Sequence, residues 1–347
     1  MNVYDLGKVP WLDSQLLYHA LPRVGGSGII LLAPATPYVC IGYHQDAAQE
    51  VDLDFCREHK IPVFRREVGG GAVYLDGEQL FYQLMLPLHH PAAQGDKETI
   101  YRRLLAPVVR TYQAIGIPAE YKPINDIITG GRKISGNGAA EIAEHLIVVG
   151  NLILDFNHEM MARVLKVPDE KFRDKVFKTL SENLTTIRRE LGSVPPVDDL
   201  KAILVREFES VLGPLHPAAL PAEVYAKARE LAPLMTSDEW LLKRGKLSRE
   251  RGVRIQDGIN VIQRAYKARG GLIRALMVVR EGRIADVELS GDFFFYPAEK
   301  LADLEQALAG VSPEQVEVTV ARFYAAHAIQ SPGVAPADFA ELLQVPA

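Results

Sequence analysis

The chain has 347 residues, of which 39 are Lys or Arg and 44 are Asp or Glu, so its formal net charge is −5. This length predicts about two domains. With 48% hydrophobic residues, the composition is that of a folded globular protein and excludes a disordered chain. An acidic balance lacks the basic surface that non-specific nucleic-acid binding requires, so we expect no nucleic-acid partner.

The cysteines and the N-terminus predict a cytoplasmic location. Cys40 and Cys56 form neither a CxxC pair nor a disulfide framework, which favours a reducing compartment. The N-terminus lacks the basic start and apolar core of a secretory signal. Glycines and prolines interrupt the longest uncharged stretch, 24–43, which therefore predicts two buried strands and no membrane helix. We expect no membrane partner.

The first half of the chain alternates between strand and helix patterns. Strands are predicted at 28–32, 38–41, 62–65, 72–75, 79–86, 125–129, 133–135 and 146–154, and helices at 11–20, 51–60 and 101–115. Asp76-Gly77 is predicted as a hairpin turn between strands 72–75 and 79–86. Since hairpin signals outnumber crossovers, the pattern favours an α+β fold with a mostly antiparallel sheet flanked by helices.

The second half predicts a domain boundary. Residues 157–231 are mainly helical in pattern, and Pro233 with the polar residues 236–238 interrupts that periodicity. We therefore expect a larger domain over 1–232 and a small α+β domain over 238–347.

The sequence pattern of the small domain predicts a hairpin at its start. Strands 272–279 and 283–289 flank the turn Glu281-Gly282, and helices are predicted at 298–308, 313–324 and 336–343. The aromatic run 293–295 is expected in the core of this domain.

The run RREVGGGAVY at 65–74 is the first candidate for chemistry. Three consecutive glycines, Gly69, Gly70 and Gly71, let main-chain amides approach a phosphate or carboxylate closely. The adjacent Arg65 and Arg66 supply fork-shaped donors for the same anion. The run is neither a Walker loop nor a GxGxxG fingerprint. The alternative is a tight connection between strands with two surface arginines.

The segment 125–138 is the second candidate. Asn125 and Asp126 open one strand, and after a glycine turn Lys133 and Ser135 point to the same face of the next strand. With Gly136 beside the serine, these groups suit a phosphate, a metal ion and a carbonyl oxygen together. The alternative is a plain glycine hairpin with a solvated lysine.

Together the two segments resemble the lipoate–protein ligase A family of the biotin/lipoate ligase superfamily. That family carries an RRxxGGGxVxHD-type loop and a later ND…GRKxSG segment, which match 65–76 and 125–136. Residues 41–45 are similar to the family's strand ending in G-x-x-Q, and 270–294 to its C-terminal accessory domain. The resemblance implies a biotin/lipoyl ligase-like fold for the large domain.

The resemblance also implies a two-step acyl transfer. ATP and lipoate, or octanoate, give acyl-AMP and pyrophosphate. A lysine of a lipoyl carrier, such as an E2 subunit or a glycine-cleavage carrier, then attacks the acyl group. By the same resemblance, Lys133 is the catalytic residue that stabilises the developing oxyanion. Asp126 is the residue expected to organise Mg²⁺, which prefers carboxylate and phosphate oxygens.

The remaining site residues are implied by position in the two motifs. Those expected to bind the substrate or adenylate are Arg66, Gly69, Gly70, Gly71, Val73, Tyr74, Asn125, Ser135 and Gly136. Val73 and Tyr74 are expected to line the adenine site.

The chain departs from the family pattern at two histidines. Leu75 stands where the loop has His, and Val149 stands where a later strand has His before Gly150. The polar residues after the turn are replaced by 78–81. These departures predict a subfamily with a different acyl donor or acceptor, or with weaker catalysis.

Two alternatives remain open beside the ligase. An octanoyltransferase forms an acyl-enzyme on a Cys thiolate and needs no ATP. Its Cys follows the Lys-Ser-Gly segment, whereas no cysteine follows Cys56 here, and both thiols are expected to be core or helix-face thiols and not nucleophiles. A non-catalytic ligase-like module that binds lipoyl domains is the other. The retained Arg66, Asp126 and Lys133 favour the enzyme.

Overall fold

The chain forms two compact units in the computed structural model, which describes residues 1–167, 172–245 and 259–344. The larger unit comprises Met1–Cys40, Asp52–Phe64 and Val73–Thr236, and the smaller comprises Ile41–Val51, Arg65–Ala72 and the described residues from Ser237 onward. The predicted domains 1–232 and 238–347 stay a prediction. The sequence patterns did not anticipate that two early segments join the smaller unit.

The elements alternate along the chain. The strands are β1 (Asn2–Val9), β2 (Gly28–Pro34), β3 (Tyr38–Ile41), β4 (Val63–Arg65), β5 (Val73–Leu75), β6 (Gln79–Pro87), β7 (Glu120–Lys122), β8 (Asp126–Thr129), β9 (Arg132–Ser135), β10 (Asn137–Ile142), β11 (His145–Ile153), β12 (His216–Pro217), β13 (Ile259–Ala268), β14 (Gly271–Arg280) and β15 (Arg283–Gly291). The α-helices are α1 (Trp11–Arg23), α2 (Ala47–Glu50), α3 (Leu53–Glu58), α4 (Lys97–Ala114), α5 (His158–Val164), α6 (Arg173–Asn183), α7 (Ile187–Leu191), α8 (Val197–Leu212), α9 (Ala222–Met235), α10 (Asp238–Leu241), α11 (Lys300–Ala307), α12 (Val316–His327) and α13 (Pro336–Leu342). Short 3₁₀ turns cover Pro91–Ala93 and Pro313–Gln315.

A six-stranded sheet in the order β10-β11-β6-β2-β1-β12 forms the larger unit's centre. The pairs β10–β11, β11–β6 and β6–β2 are antiparallel, whereas β1 runs parallel to both its neighbours. The predicted α+β class with a mostly antiparallel sheet is therefore confirmed. β6 lies between two strands and is buried at all but its last residue, which explains its nearly unbroken apolar run.

The predicted hairpin around Asp76-Gly77 is wrong. β5 pairs with β3 in a small sheet of order β4-β3-β5, whereas β6 pairs with β2 and β11. Both edges of β6 are thus occupied by strands distant in sequence. The Asp76 carboxylate accepts the Glu78 amide at 3.0 Å and so stabilises a turn that separates the two strands instead of pairing them.

Helix α4 packs on this sheet and fixes the position of β9. The Asp96 carboxylate caps its first turn by accepting the Thr99 amide at 2.9 Å. Near its end, the buried Tyr112 hydroxyl donates to the Ile134 carbonyl at 2.8 Å and accepts the Ile153 amide at 3.2 Å. One phenol therefore joins β9 to β11.

The smaller unit contains the antiparallel sheet β13-β14-β15 with α11, α12 and α13. The hairpin predicted around Glu281-Gly282 is confirmed, and both turn residues have positive φ. Phe293, Phe294 and Phe295 are buried, as predicted for this aromatic run. Within the residues that the structure describes, none of the helices has both the length and the apolar character needed to cross a membrane.

Candidate active site

Lys133 and Asp126 meet across the β8–β9 hairpin. The turn residues Gly130 and Gly131 have φ of +53° and +78°, which favours glycine and brings the two strands side by side. Lys133 Nζ lies 2.6 Å from Asp126 Oδ1. The two side chains are 37% and 33% exposed, so the ammonium is held by the carboxylate and still open to solvent.

The backbone of β9 is fixed from several directions. The Thr185 amide donates to the Lys133 carbonyl at 2.8 Å. The neighbouring Arg132 forms an ion pair with Glu190 at 2.8 Å, on helix α7. Together with the Tyr112 bridge, these bonds hold the strand that carries Lys133.

Buried polar side chains surround the corner between β9 and β10. The Gly136 amide donates to Asn151 Oδ1 at 2.9 Å, and the Ser135 hydroxyl donates to the Asn151 carbonyl at 2.6 Å. Asn151 Nδ2 in turn donates to Gln79 Oε1 at 2.7 Å. Ser135 is fully buried and its hydroxyl has an internal acceptor, so its predicted contact with substrate stays a prediction.

Asn125 lies in a second group of bonds beside this corner. Asn137 Nδ2 donates to the Asn125 carbonyl at 2.9 Å, and Asn125 Nδ2 donates to the Asn137 carbonyl. The Tyr82 hydroxyl donates to Asn137 Oδ1. A Cβ on Gly150 would collide with both of these groups, which explains the glycine there.

Sequence reasoning missed four of these polar residues. They are Gln79, Tyr82, Asn137 and Asn151. For Gln79 and Asn151 the available signal was an amide side chain in a strand pattern that is otherwise apolar, because a buried amide requires partners.

Val73 and Tyr74 lie on β5, which pairs with β3. Tyr74 is buried, and burial raises the pKa of its phenol to about 12. The Tyr74 carbonyl accepts Gln79 Nε2 at 3.2 Å. The assignment of Val73 and Tyr74 to an adenine site stays a prediction.

The glycine loop belongs to the smaller unit and packs against residues of that unit. Arg66 Nη2 donates to the Gly69 and Gly71 carbonyls at 2.8 and 2.9 Å. A Cβ on Gly69 would lie 2.9 Å from Phe294 Cδ1, and one on Gly70 would lie 3.4 Å from Phe294 Cζ. The side-chain-free surface therefore accommodates an aromatic ring. The predicted role of Arg66 and the three glycines in binding an adenylate stays a prediction.

Arg65 does not face an anion, and the expectation that both arginines do so is wrong. Its side chain is fully buried. Its guanidinium donates to main-chain carbonyls of Gly42, Tyr43, Gln45, Trp240 and Leu241, at distances of 2.6 to 3.2 Å. Arg65 thus joins two segments of the smaller unit.

Both cysteines, expected as core or helix-face thiols, are buried. Burial raises the pKa of the Cys56 thiol to about 11. Cys40 Sγ lies 3.8 Å from Gln15 Oε1 in the core. Neither environment favours the exposed thiolate that nucleophilic catalysis uses.

Two parts of the chain match described families. Residues 12–209 match the lipoyl protein ligase A/B catalytic domain, and residues 261–343 match the bacterial lipoate protein ligase C-terminus. The chain therefore belongs to the lipoyl protein ligase A/B family and is an enzyme of the lipoate–protein ligase class. The resemblance found in the motifs is confirmed.

Individual relatives have related names. Lipoate–protein ligase 1 of Staphylococcus aureus is 26% identical over 278 residues, which are 79% of this chain and 78% of that protein. Octanoyltransferase LipM of Geobacillus kaustophilus is 25% identical over 233 residues, 60% of this chain and 84% of that protein.

Solved structures share the fold. A bi-partite lipoate protein ligase from Thermoplasma acidophilum, solved in a study of that ligase and its E2 lipoyl domain, has a TM-score of 0.60 and 26% identity. The match covers 74% of this chain and 98% of that one. A lipoate-protein ligase A bound with ATP has a TM-score of 0.58 at 23% identity, covering 70% and 98%, and shows the likeness in fold alone.

Proposed function

We propose that the protein activates lipoate or octanoate with ATP and transfers the acyl group to a lysine of a lipoyl carrier domain. One observation carries the choice of route: both thiols of the chain are buried, whereas the Lys133 ammonium is partly exposed beside Asp126. A route through an acyl-enzyme needs an ionised, accessible cysteine. The burial of Cys40 and Cys56 therefore supports the adenylate route over that of the octanoyltransferase relatives.

Each of the two steps forms one bond and releases one leaving group. In the first, a carboxylate oxygen of the acid attacks the α-phosphorus of ATP and pyrophosphate leaves. In the second, the neutral lysine amine of the carrier attacks the acyl carbon, AMP leaves, and the proton that the amine loses is released to solvent. The positive charge of Lys133 offsets phosphate charge in the first step and stabilises the carbonyl oxygen as it becomes negative in the second.

Asp126 would hold Mg²⁺ together with the phosphates of ATP. Within the described ranges no three His, Cys, Asp or Glu side chains gather into a metal cage. One partly exposed carboxylate nevertheless fits Mg²⁺, which is commonly bound through one or two carboxylates and substrate phosphates. When bound, the ion would neutralise phosphate charge. The chain's own contribution is to place one carboxylate 2.6 Å from the Lys133 ammonium.

A lipoyl domain is the proposed acceptor, whether it belongs to an E2 subunit, a glycine-cleavage carrier or a similar protein. The Thermoplasma acidophilum ligase was studied together with its E2 lipoyl domain, which supports a domain of this kind as the acceptor here. The cytoplasmic location inferred from the two cysteines stays a prediction.

Mass spectrometry of an apo lipoyl domain tests the proposal. One incubation supplies lipoate and Mg-ATP, a second supplies octanoyl carrier protein without ATP, and a third repeats the first with octanoate. We expect modification of the lysine only when ATP and a free acid are present. Comparison of the first and third arms shows which acid is preferred.

Two outcomes would contradict the proposal. Modification from octanoyl carrier protein without ATP would assign an acyltransferase. No modification in any arm, with binding of the lipoyl domain retained in a pull-down, would favour a non-catalytic module.

A further inference from the structure

Two buried amides connect the corner that carries Lys133 with the turn that follows β5. Asn151 is on β11 and Gln79 is on β6, and they are 9% and 1% exposed. Asn151 Nδ2 donates to Gln79 Oε1 at 2.7 Å across the two strands. We propose that Gln79 and Asn151 are a positioning pair for Lys133, an inference that rests on the proposed function.

Asn151 bonds to the two residues at the corner beside Lys133, Ser135 and Gly136. Its Oδ1 accepts the Gly136 amide at 2.9 Å, and its carbonyl accepts the Ser135 hydroxyl at 2.6 Å. A Cβ on Gly136 would lie 3.7 Å from Lys133 Cε, 4.0 Å from Lys133 Nζ and 3.8 Å from Asn151 Oδ1. The Lys133 side chain and Asn151 Oδ1 therefore both lie next to Gly136. A shift of Asn151 would therefore move the backbone at 135–136, which lies next to the Lys133 ammonium.

Gln79 sets the orientation of Asn151. Because Gly136 presents an N–H, the Asn151 oxygen has to face it and the Asn151 nitrogen has to face Gln79. Gln79 meets that nitrogen with its oxygen, since its own nitrogen donates to the Tyr74 carbonyl at 3.2 Å. Each amide thus fixes the other, and rotation of either one would place like atoms together.

The pair also connects two parts of the predicted site. Gln79 Nε2 contacts Tyr74 and lies 3.4 Å from Asp76 Oδ1, at the end of the strand expected to line the adenine site. Asn151 contacts the corner beside Lys133. A network of buried hydrogen bonds of this kind is rigid when all of its members are satisfied. The positioning pair therefore holds β5 and the lysine corner at a constant spacing.

Hydrogen exchange tests the positioning without reference to activity. Gln79→Met keeps the length of the side chain but removes its amide, and it does not touch Gly136. If Gln79 acts through Asn151, the Gly136 amide should exchange at least about tenfold faster in this variant, as for loss of a hydrogen bond of about 1.4 kcal/mol. Thr111→Val is the control. It removes the buried bond from the Thr111 hydroxyl to Pro107, and it should leave the Gly136 exchange rate unchanged.

Kinetics test the link to Lys133. In acyl transfer to a lipoyl domain, Gln79→Met and Asn151→Leu should each lower kcat about 10- to 100-fold with KM for ATP within threefold, since displacement of a catalytic group by about 1 Å has an effect of this size. In the Lys133→Ala background, neither change should lower kcat further. Asn151→Asp, nearly isosteric, places an oxygen in place of the nitrogen that donates to Gln79 Oε1, and it should lower kcat similarly if the bulkier changes prevent folding.

The outcomes separate the two proposals. An unchanged Gly136 exchange rate in Gln79→Met overturns the positioning pair. So does a loss of kcat that is fully additive with that of Lys133→Ala. If the wild-type protein shows no ATP-dependent transfer, the proposed function fails, and the exchange experiment alone decides whether the pair positions this corner.

Discussion

Replacing Lys133 by Met separates the catalytic contribution of its charge from its contribution to stability. The side chains of Lys133 and Asp126 are about one-third exposed, and an ion pair of that exposure contributes at most about 1 kcal/mol to stability. Met retains the apolar stem. A donor placed at a developing oxyanion lowers the barrier by about 2.7–4 kcal/mol, so its loss should reduce kcat about 10²- to 10³-fold. Activity and stability should therefore respond very differently.

Single-turnover transfer from acyl-AMP to a lipoyl domain measures the catalytic contribution, and urea unfolding measures the contribution to stability. Lys227→Met is a matched control, because Lys227 also forms a 2.6 Å ion pair, with Glu230, on a helix surface. This control should change neither the transfer rate nor the free energy of unfolding appreciably. A Lys133→Met rate within threefold of wild type would refute the catalytic role. Destabilisation by more than about 2 kcal/mol would refute the separation of charge from stability.

Three further changes test the other assignments. Cys56→Ala should leave transfer within twofold of wild type, because the thiol is buried with its pKa raised to about 11; loss of all transfer would instead indicate an acyl-enzyme. Arg65→Met removes the buried guanidinium that donates to five main-chain carbonyls, so urea unfolding should show a loss of about 3–5 kcal/mol, and a loss below 1 kcal/mol would contradict the assigned bonding. Burial, reinforced by nearby cations, holds the pKa of His44 well below 6.5, so below pH 6.5 the unfolded chain binds a proton that the folded chain does not. The free energy of unfolding should then fall by up to about 1.4 kcal/mol for each pH unit below 6.5. His44→Phe, which keeps a ring stacked on Phe293, should remove this part of the slope, and an unchanged slope would show that other groups cause it.

Local signals predicted much of the fold. The β8–β9 and β14–β15 hairpins follow from glycine turns between short apolar runs, because the partners lie next to each other in sequence. β1 and β10 were missed, and the pairing of β6 was mistaken. β10 pairs with the next strand, β11, and was missed because its sequence NGAAEI carries little strand signal. For β1 and β6, the neighbours include strands far away in the chain, such as β12 for β1 and β11 for β6. Periodicity indicates that a strand exists, but does not identify its partner.

The candidate site likewise contains contacts that the local sequence predicts and contacts that it does not. The meeting of Lys133 and Asp126 could be predicted because one hairpin carries both. The bond between Gln79 and Asn151 joins residues 72 positions apart and depends on the pairing of β6 with β11, which the patterns did not reveal. Arg65 was misassigned because its acceptors include Trp240 and Leu241, which only the folded chain brings to it.

The smaller unit is assembled from three stretches of polypeptide, and this limits how the protein can be divided. A gene truncated after residue 236 would still encode 41–51 and 65–72, although these segments belong to the missing unit. In that fragment Arg65 would lose its acceptors at 240–241, and Gly69 would lose the ring of Phe294. Two separately expressed pieces would have to restore these contacts within the smaller unit, as in fragment complementation.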